Sequence, residues 1–328
     1  MIVTLTPNPS VDRTLHLDTL VRGHVNRARS ATSEPSGKGV NVSLALLTAG
    51  TPTTAVLPVG GPAGAELTDL LQATGLPTRP VPIAGAVRSN VSLVEADGST
   101  TKINEAGPTL TDSEVTALLA AAEGASGPGD WLAICGSLPT GFGPDQLRAS
   151  VVRARRSGRR VAVDTSEAAL LELLSGRSEE LPDLIKPNAH ELATATRRSL
   201  VTVGDVVAAG QELRDRGVTT VLVSLGGDGA LLIDPAGVWH GTAPVSRVVN
   251  TVGAGDSFLA GYLSTRHRDD PSSSSPDQPA ALGTALTWGA IAVQHAGTVF
   301  PGLPDVSGRP EVRIGVPDPN RPLSEPAA

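Results

Sequence analysis

Cysteine is nearly absent from this chain of 328 residues: Cys135 stands alone, so no disulfide closes within the chain and no multi-cysteine metal site can form. A reducing compartment suits such usage. The amino terminus, Met1 to Asp12, lacks a basic stretch followed by a long apolar run, and no segment approaches the roughly 18 successive apolar residues that a membrane span needs. Secretion by a signal peptide and membrane insertion are both disfavoured, which points to the cytoplasm. Positive charge is short as well. Lys and Arg number 26 against 33 Asp and Glu, a net charge of −7, so a protein that grips nucleic acid backbones is not expected. There is no internal repeat. No loop has Walker A spacing, since Gly39 stands where Ser or Thr should follow Lys38, and no strand leads into G-x-G-x-x-G, which leaves a dinucleotide fold without support.

Lysine is the scarcest charge of all: only Lys38, Lys102 and Lys186 occur among many arginines. Where arginine is the default, a lysine marks a place that wants a compact ammonium in place of a planar fork, unless three are left by chance.

What is present is a regular alternation. Ile2 to Thr6, Thr53 to Val59, Trp131 to Cys135, Val161 to Asp164 and Val221 to Leu225 read as buried strands. Between and after them, residues 40–48, 63–73, 113–123, 144–157, 204–216, 254–265 and 280–294 carry apolar residues at helical spacing. The expected fold is a mostly parallel sheet covered by helices on both faces, long enough to bury a substantial core. Two stretches break the rhythm. Arg13 to Arg29 has no following helix, and Val87 to Asn104 reads as two strands around an Asp97-Gly98 turn. Both are expected in a small accessory sheet, which reads equally as a lid, a dimer contact or a plain edge hairpin. The Ser/Pro-rich stretch Asp269 to Pro279 and the tail after Val316 are expected to be mobile.

Four segments, three of them marked by glycine, carry candidate chemistry. Gly253-Ala254-Gly255-Asp256 opens a helical stretch, so a tight turn would aim backbone N–H groups and the positive helix end at one point suited to an anion. Asp256 would repel a phosphate there unless its carboxylate faced an attacking hydroxyl, whose proton it could accept; the plain alternative is an N-cap. Gly37-Lys38-Gly39-Val40-Asn41 is a second such turn, with Lys38 as a point charge and Asn41 for hydroxyls, or else a solvated loop. In Lys186-Pro187-Asn188-Ala189-His190-Glu191, the pair Asn188 and Glu191 shares a helix face and could order a hydrated magnesium ion, or form a capping box. Ser224, Gly226 and Gly229 either let a nucleotide approach the backbone or turn a hairpin. Asp12 follows the first strand, where α/β sheets place binding residues, while Arg88 and Lys102 on the accessory strands would meet a charged substrate.

Together the GAGD segment at Gly253 to Asp256, K-P-N-x-x-E at Lys186 to Glu191 and GKG-x-N at Gly37 to Asn41 resemble the PfkB branch of the ribokinase-like carbohydrate kinases, over residues 1 to 316. Thr6 to Asp12, Lys102 to Pro108 and Gly136 to Pro139 are most similar to its hexose-phosphate kinases. The resemblance implies a three-layer α/β/α core, residues 1–12, 30–85 and 106–316, with a β-sheet lid from 13–29 and 86–105 that is shared across a homodimer, and a flexible tail from 317 to 328. It implies transfer from ATP to a phosphosugar hydroxyl, with Asp256 as general base and Gly253, Ala254 and Gly255 as anion hole. Lys186, Asn188, Ser224, Gly226 and Gly229 would line the nucleotide, and Asn188 with Glu191 would organise Mg2+ through water. Asp12, Gly37, Lys38, Gly39, Asn41 and Arg88, with Arg27, Lys102 and Ser137, would hold the sugar phosphate. A potassium ion near Asn250 is implied by analogy alone. One departure is visible: Ser36 stands where the family usually has a first glycine.

Overall fold

The strand Ile2–Leu5 is buried along its whole length, and its alternate side chains feed two different cores. Ile2 packs with Val42, Leu46, Phe258, Leu259 and Trp288 on one face of the sheet. Val3 and Leu5 pack with Val115, Leu118, Leu147 and Val151 on the other. Each such Leu or Ile contributes about 1.5–3 kcal/mol by leaving water. Period-two patterning between two helical layers is what makes this strand central.

The computed structural model describes residues 1–266, 277–295, 297–303, 305 and 308–327. Its main sheet has ten strands, in the order Arg313–Gly315, Gly237–Thr242, Ala230–Asp234, Thr220–Ser224, Leu184–Ile185, Arg160–Asp164, Trp131–Cys135, Ile2–Leu5, Thr53–Val59 and Thr78–Pro82. From Thr220–Ser224 to Thr78–Pro82 every neighbouring pair is parallel; the other three strands add on antiparallel. The expected strands and helices are all present to within a few residues. Helix Ala189–Thr196 begins where the spacing of Asn188 and Glu191 placed one, whereas helix Glu167–Leu174 and the edge strands were not anticipated, because each is too short for a clear period.

A separate four-stranded sheet joins Ser30–Ser36, Ser10–His16, Arg88–Val94 and Thr100–Asn104. The turn at Asp97 and Gly98 lies where expected, with Ser99 N–H donating to the Asp97 carboxylate. The first hairpin, however, starts at Ser10 and ends at Ser36, wider than residues 13–29. The sequence of its second strand, SATSEPS, has no apolar alternation to reveal it. Ser36 ends that strand, buried, opposite Ser10.

The tail is not the free segment expected from its composition. Pro322–Ala327 pairs antiparallel with Leu200–Thr202, and Leu323 and Ala327 are buried against Leu192, Leu200 and Leu225. Two apolar residues on one face of a short strand suffice to dock it. Of the Ser/Pro-rich stretch, residues 267–276 lie outside those described. Among the described residues no helix is long and apolar enough to cross a membrane.

Candidate active site

Parallel strands deliver their carboxyl ends to one side of the sheet, and the candidate residues follow them there. Asn8 comes after Ile2–Leu5, Ser137 after Trp131–Cys135, Lys186 after Leu184–Ile185, while Asp164 and Ser224 end their own strands.

Asp256 is the third residue of helix Ala254–Arg266, which excludes the N-cap reading. Its carboxylate is buried and accepts a hydrogen bond from Asn41 Nδ2 at 2.8 Å, although the two lie 215 residues apart. Burial, with the Asp164 carboxylate nearby, pushes its pKa up to about 6, against the pull of the Asn41 bond, Lys38 and Lys186. A carboxylate so placed is ionised at neutral pH yet basic enough to take a proton.

The turn ahead of it has the tight glycine geometry that the sequence suggested. Gly253 has φ 78°, and a Cβ there would lie 2.2 Å from the Thr298 carbonyl oxygen. The Thr298 segment is itself anchored by Phe300, which stacks on Trp288 with ring centroids 4.9 Å apart. In the first helical turn the Ser257 N–H reaches the Gly253 carbonyl, whereas those of Gly255 and Asp256 make no backbone bond among the described residues. Gly253→Ala is therefore expected to cost about 1–3 kcal/mol of backbone strain at this turn and to lower kcat more than either KM. Thermal unfolding and steady-state kinetics check both, and wild-type values in each would remove the glycine requirement.

Asp164 is the residue the sequence did not reveal. It is buried, with Lys38 Nζ 2.8 Å from Oδ1 and Lys186 Nζ 3.2 Å from Oδ2. Burial acts to raise its pKa, but Lys186 and Lys38 outweigh it and hold the carboxyl below the ordinary range. Burial likewise works against the charge on Lys38, and the Asp164 ion pair restores it, leaving its pKa above the ordinary lysine value. Two of the three lysines in the chain thus converge on one carboxylate. Lys186 also lies 3.5 Å from where a Gly255 Cβ would be, so it sits beside the glycine turn. The neighbouring Cys135 thiol is pushed well up by burial and by Asp164 and Asp256, which makes it inert. A strand-end aspartate after V-A-V was the available signal.

Gly37 precedes helix Lys38–Thr48 as its N-cap residue, and Gly39 lets that helix lie against the first strand, since a Cβ would meet Thr6 Oγ1 at 2.4 Å. On the accessory sheet, Asp12 Oδ1 accepts from Ser10 Oγ at 2.7 Å and Asn90 Nδ2 at 2.9 Å. Asn90, opposite Asp12 in the sheet register, was not foreseen. Arg88 donates to the carbonyls of Asn8 and Glu105, and burial depresses its pKa against Asp12 and Glu105. Asn8 Nδ2 reaches the Ser137 hydroxyl at 3.2 Å and the Ala106 carbonyl at 3.0 Å. The buried Oδ1 atoms of Asn41 and Asn90 have no protein partner, an arrangement that suits hydroxyl donors. Arg27 and Lys102 are exposed and are not drawn into this cluster.

Next to this turn lies a cavity of about 540 Å³ whose walls include Ser224, Gly226, Gly227, Gly229, Ala254 and Gly255. Val245, Val248, Leu286 and Val293 add apolar walls, a size and polarity that suit a heterocycle carrying phosphates. The Ser224 to Gly229 segment is at once the turn joining Thr220–Ser224 to Ala230–Asp234 and the cavity floor. The hairpin reading holds, and the same segment borders the cavity.

Asn188 and Glu191 form the capping box: Asn188 Oδ1 accepts the Glu191 N–H and Glu191 Oε2 the Asn188 N–H. Glu191 Oε1 stays outside that exchange, and Glu191 acts on the charge of Lys38, so it faces the cluster. Among the described residues no group of three or more ligating side chains could hold a metal ion. The donor set fits a hydrated magnesium ion that arrives with nucleotide phosphates, since that ion keeps several waters and takes only one or two carboxylates.

Comparison with known proteins agrees with this geometry. Residues 6–306 match the model of the pfkB family carbohydrate kinases. A 1-phosphofructokinase of Haloferax volcanii is 37% identical over 308 residues, covering 93% of this chain and 95% of its own. One from Bacillus subtilis is 36% identical over 263 residues, covering 80% and 84%. Among solved structures, phosphofructokinase-2 from Escherichia coli in complex with potassium superposes with TM-score 0.83 at 30% identity, covering 92% of this chain and 95% of that one.

Proposed function

We propose that this chain, which belongs to the pfkB family of carbohydrate kinases, transfers the γ-phosphoryl group of ATP to fructose 1-phosphate, giving fructose 1,6-bisphosphate and ADP. Family membership makes the chain a sugar-phosphate phosphotransferase; the choice of acceptor is the proposal. The observation that carries the mechanism is the Asp256 carboxylate, held by Asn41 beside the unbonded first-turn amides, with a nucleotide-sized cavity on one flank and unpartnered asparagine oxygens on the other.

In this reading Asp12, Asn41 and Asn90 orient the sugar, and Arg88 with Lys38 attracts its phosphate, Ser137 bounding the same side. Asp256 Oδ accepts the proton of the C6 hydroxyl as that oxygen forms its bond to the γ-phosphorus and the bond to the ADP oxygen breaks. The amides of Gly255 and Asp256, with Lys186, meet the charge that spreads over the transferring oxygens. Magnesium, when bound with the nucleotide near Glu191, neutralises phosphate charge. A potassium ion near Asn250 belongs to the same reading: backbone carbonyls such as that of Thr298, packed against Gly253, are donors of the right kind for a hard monovalent ion. The accessory sheet acts as a lid over the acceptor and as the contact of a cytoplasmic homodimer, which would give exposed Arg27, Lys102 and Ile103 a partner.

The test is a panel of fructose 1-phosphate, fructose 6-phosphate and tagatose 6-phosphate with ATP, read as ADP formed. The highest kcat/KM is expected for fructose 1-phosphate. A higher value for either competitor would reassign the acceptor, and binding without any ADP would leave a sugar-phosphate sensor.

A further inference from the structure

The floor of the cavity next to the anion hole is a turn of very unusual composition: Gly226, Gly227, Asp228 and Gly229. Glycines lose more conformational freedom on ordering than other residues, so this turn gains from a restraint beyond its own backbone bonds, Leu225 N–H to the Gly229 carbonyl, Asp228 N–H to the Leu225 carbonyl and Gly229 N–H to the Gly226 carbonyl. At Gly226 and Gly227 nothing lies within 4 Å of where a Cβ would sit, so packing does not supply that restraint there. Asp228 carries the sole side chain of the turn, and it is not among the residues that line the cavity.

Its carboxylate is buried, and a buried carboxylate must be paired. The partners come from the far end of the chain. Ser324 donates its N–H to Oδ2 at 2.7 Å and its hydroxyl to Oδ1 at 2.9 Å, and the Arg321 guanidinium stands 3.6 Å from Oδ1. On the other side the Asp228 carbonyl meets His240 Nε2 at 2.9 Å. The strand that carries Ser324 is held firmly in its turn. It pairs with Leu200–Thr202, and its Leu323 and Ala327 join the core that contains Leu225, just before the turn, and Leu192 and Ala193 of the helix opened by Asn188.

We infer that Ser324, on the carboxyl-terminal strand Pro322–Ala327, is a positioning residue for the nucleotide site: it clamps Asp228 and so presets the glycine turn for ATP. The inference rests on the nucleotide reading of the cavity given above. Preorganisation of this kind acts on nucleotide affinity, because the ordering of the turn is then complete before binding. The acceptor residues lie on other elements and do not touch the clamp.

Ser324→Ala removes the hydroxyl bond and keeps the strand N–H. It is expected to raise KM for ATP and the calorimetric Kd for ADP about three- to tenfold, the scale of one hydrogen bond to a charged group partly expressed in binding, while kcat and KM for the hexose phosphate stay within about twofold of wild type. Ser324→Thr restores the hydroxyl and is expected to recover the ADP affinity. Unchanged ADP affinity in Ser324→Ala, a parallel rise of both KM values, or a loss that threonine does not rescue would each overturn the clamp. Wild-type protein that binds no ADP would overturn the nucleotide reading itself, and the clamp with it.

Discussion

Asp256→Asn is expected to lower kcat by about 10²–10⁴-fold, the range typical of a removed general base. Asparagine keeps the size of the side chain and can still accept from Asn41, so the fold should survive. Stability offers an independent check. Because the folded-state pKa of Asp256 is raised to about 6, the native protein holds this proton more tightly than the unfolded chain does. Its contribution to stability is therefore fully present below the unfolded pKa and is lost as pH rises toward 6, a change of about 3 kcal/mol from the pKa difference. Asparagine carries no such cost, so above pH 6 the variant should unfold at or above the wild-type temperature. In the wild type, kcat should fall about tenfold per pH unit below about pH 6, as the base protonates. Full turnover in a folded Asp256→Asn protein, or a wild-type profile flat down to pH 5, would sink the assignment.

The second large effect is expected at Asp164. Asp164→Asn leaves Lys38 and Lys186 without their shared counter-charge, and breaking a buried ion pair from one side costs about 3–5 kcal/mol. The acid limb of the rate profile should also move. With Asp164 neutral, Asp256 loses the repulsion that helps raise its pKa and feels two uncompensated ammonium groups, so the limb shifts below pH 6. In the wild type the Asp164 pKa is depressed, so this pairing stabilises the fold above the unfolded carboxylate value and fails as pH falls through the folded one. A variant with wild-type melting temperature and an unmoved acid limb would show that Asp164 neither anchors the lysines nor tunes the base.

These two aspartates differ in how they could be read from sequence. Asp256 lies in a local pattern, two glycines and a helix start, whose geometry is fixed by the residues beside it, although its contact with Asn41, read in the sequence as a residue for ligand hydroxyls, was not foreseen. Asp164 has no such local signature. Its role comes from Lys38, 126 residues earlier, and from Lys186 just past the neighbouring strand, so it emerges only when the sheet order is known. Asn90 is similar, since its tie to Asp12 depends on strand register. The scarcity of lysine did carry information, as two of the three meet at one carboxylate, while Lys102 stands exposed. The parallel strands were legible because each is a buried apolar run. The bounds of the first accessory hairpin and the last strand were not, because residues that pair mainly through backbone hydrogen bonds need no apolar period.

Chain order has a consequence for how the molecule is made. Acceptor-side residues from Asn8 to Ser137 all leave the ribosome within the first half of synthesis, and the strands that carry them can pair as they emerge. The other half of the site waits. Its cavity walls extend to Val293, and the strands Arg313–Gly315 and Pro322–Ala327 that brace them are translated last. The strands that carry the acceptor-side residues are therefore synthesised well before the two strands that brace the cavity side.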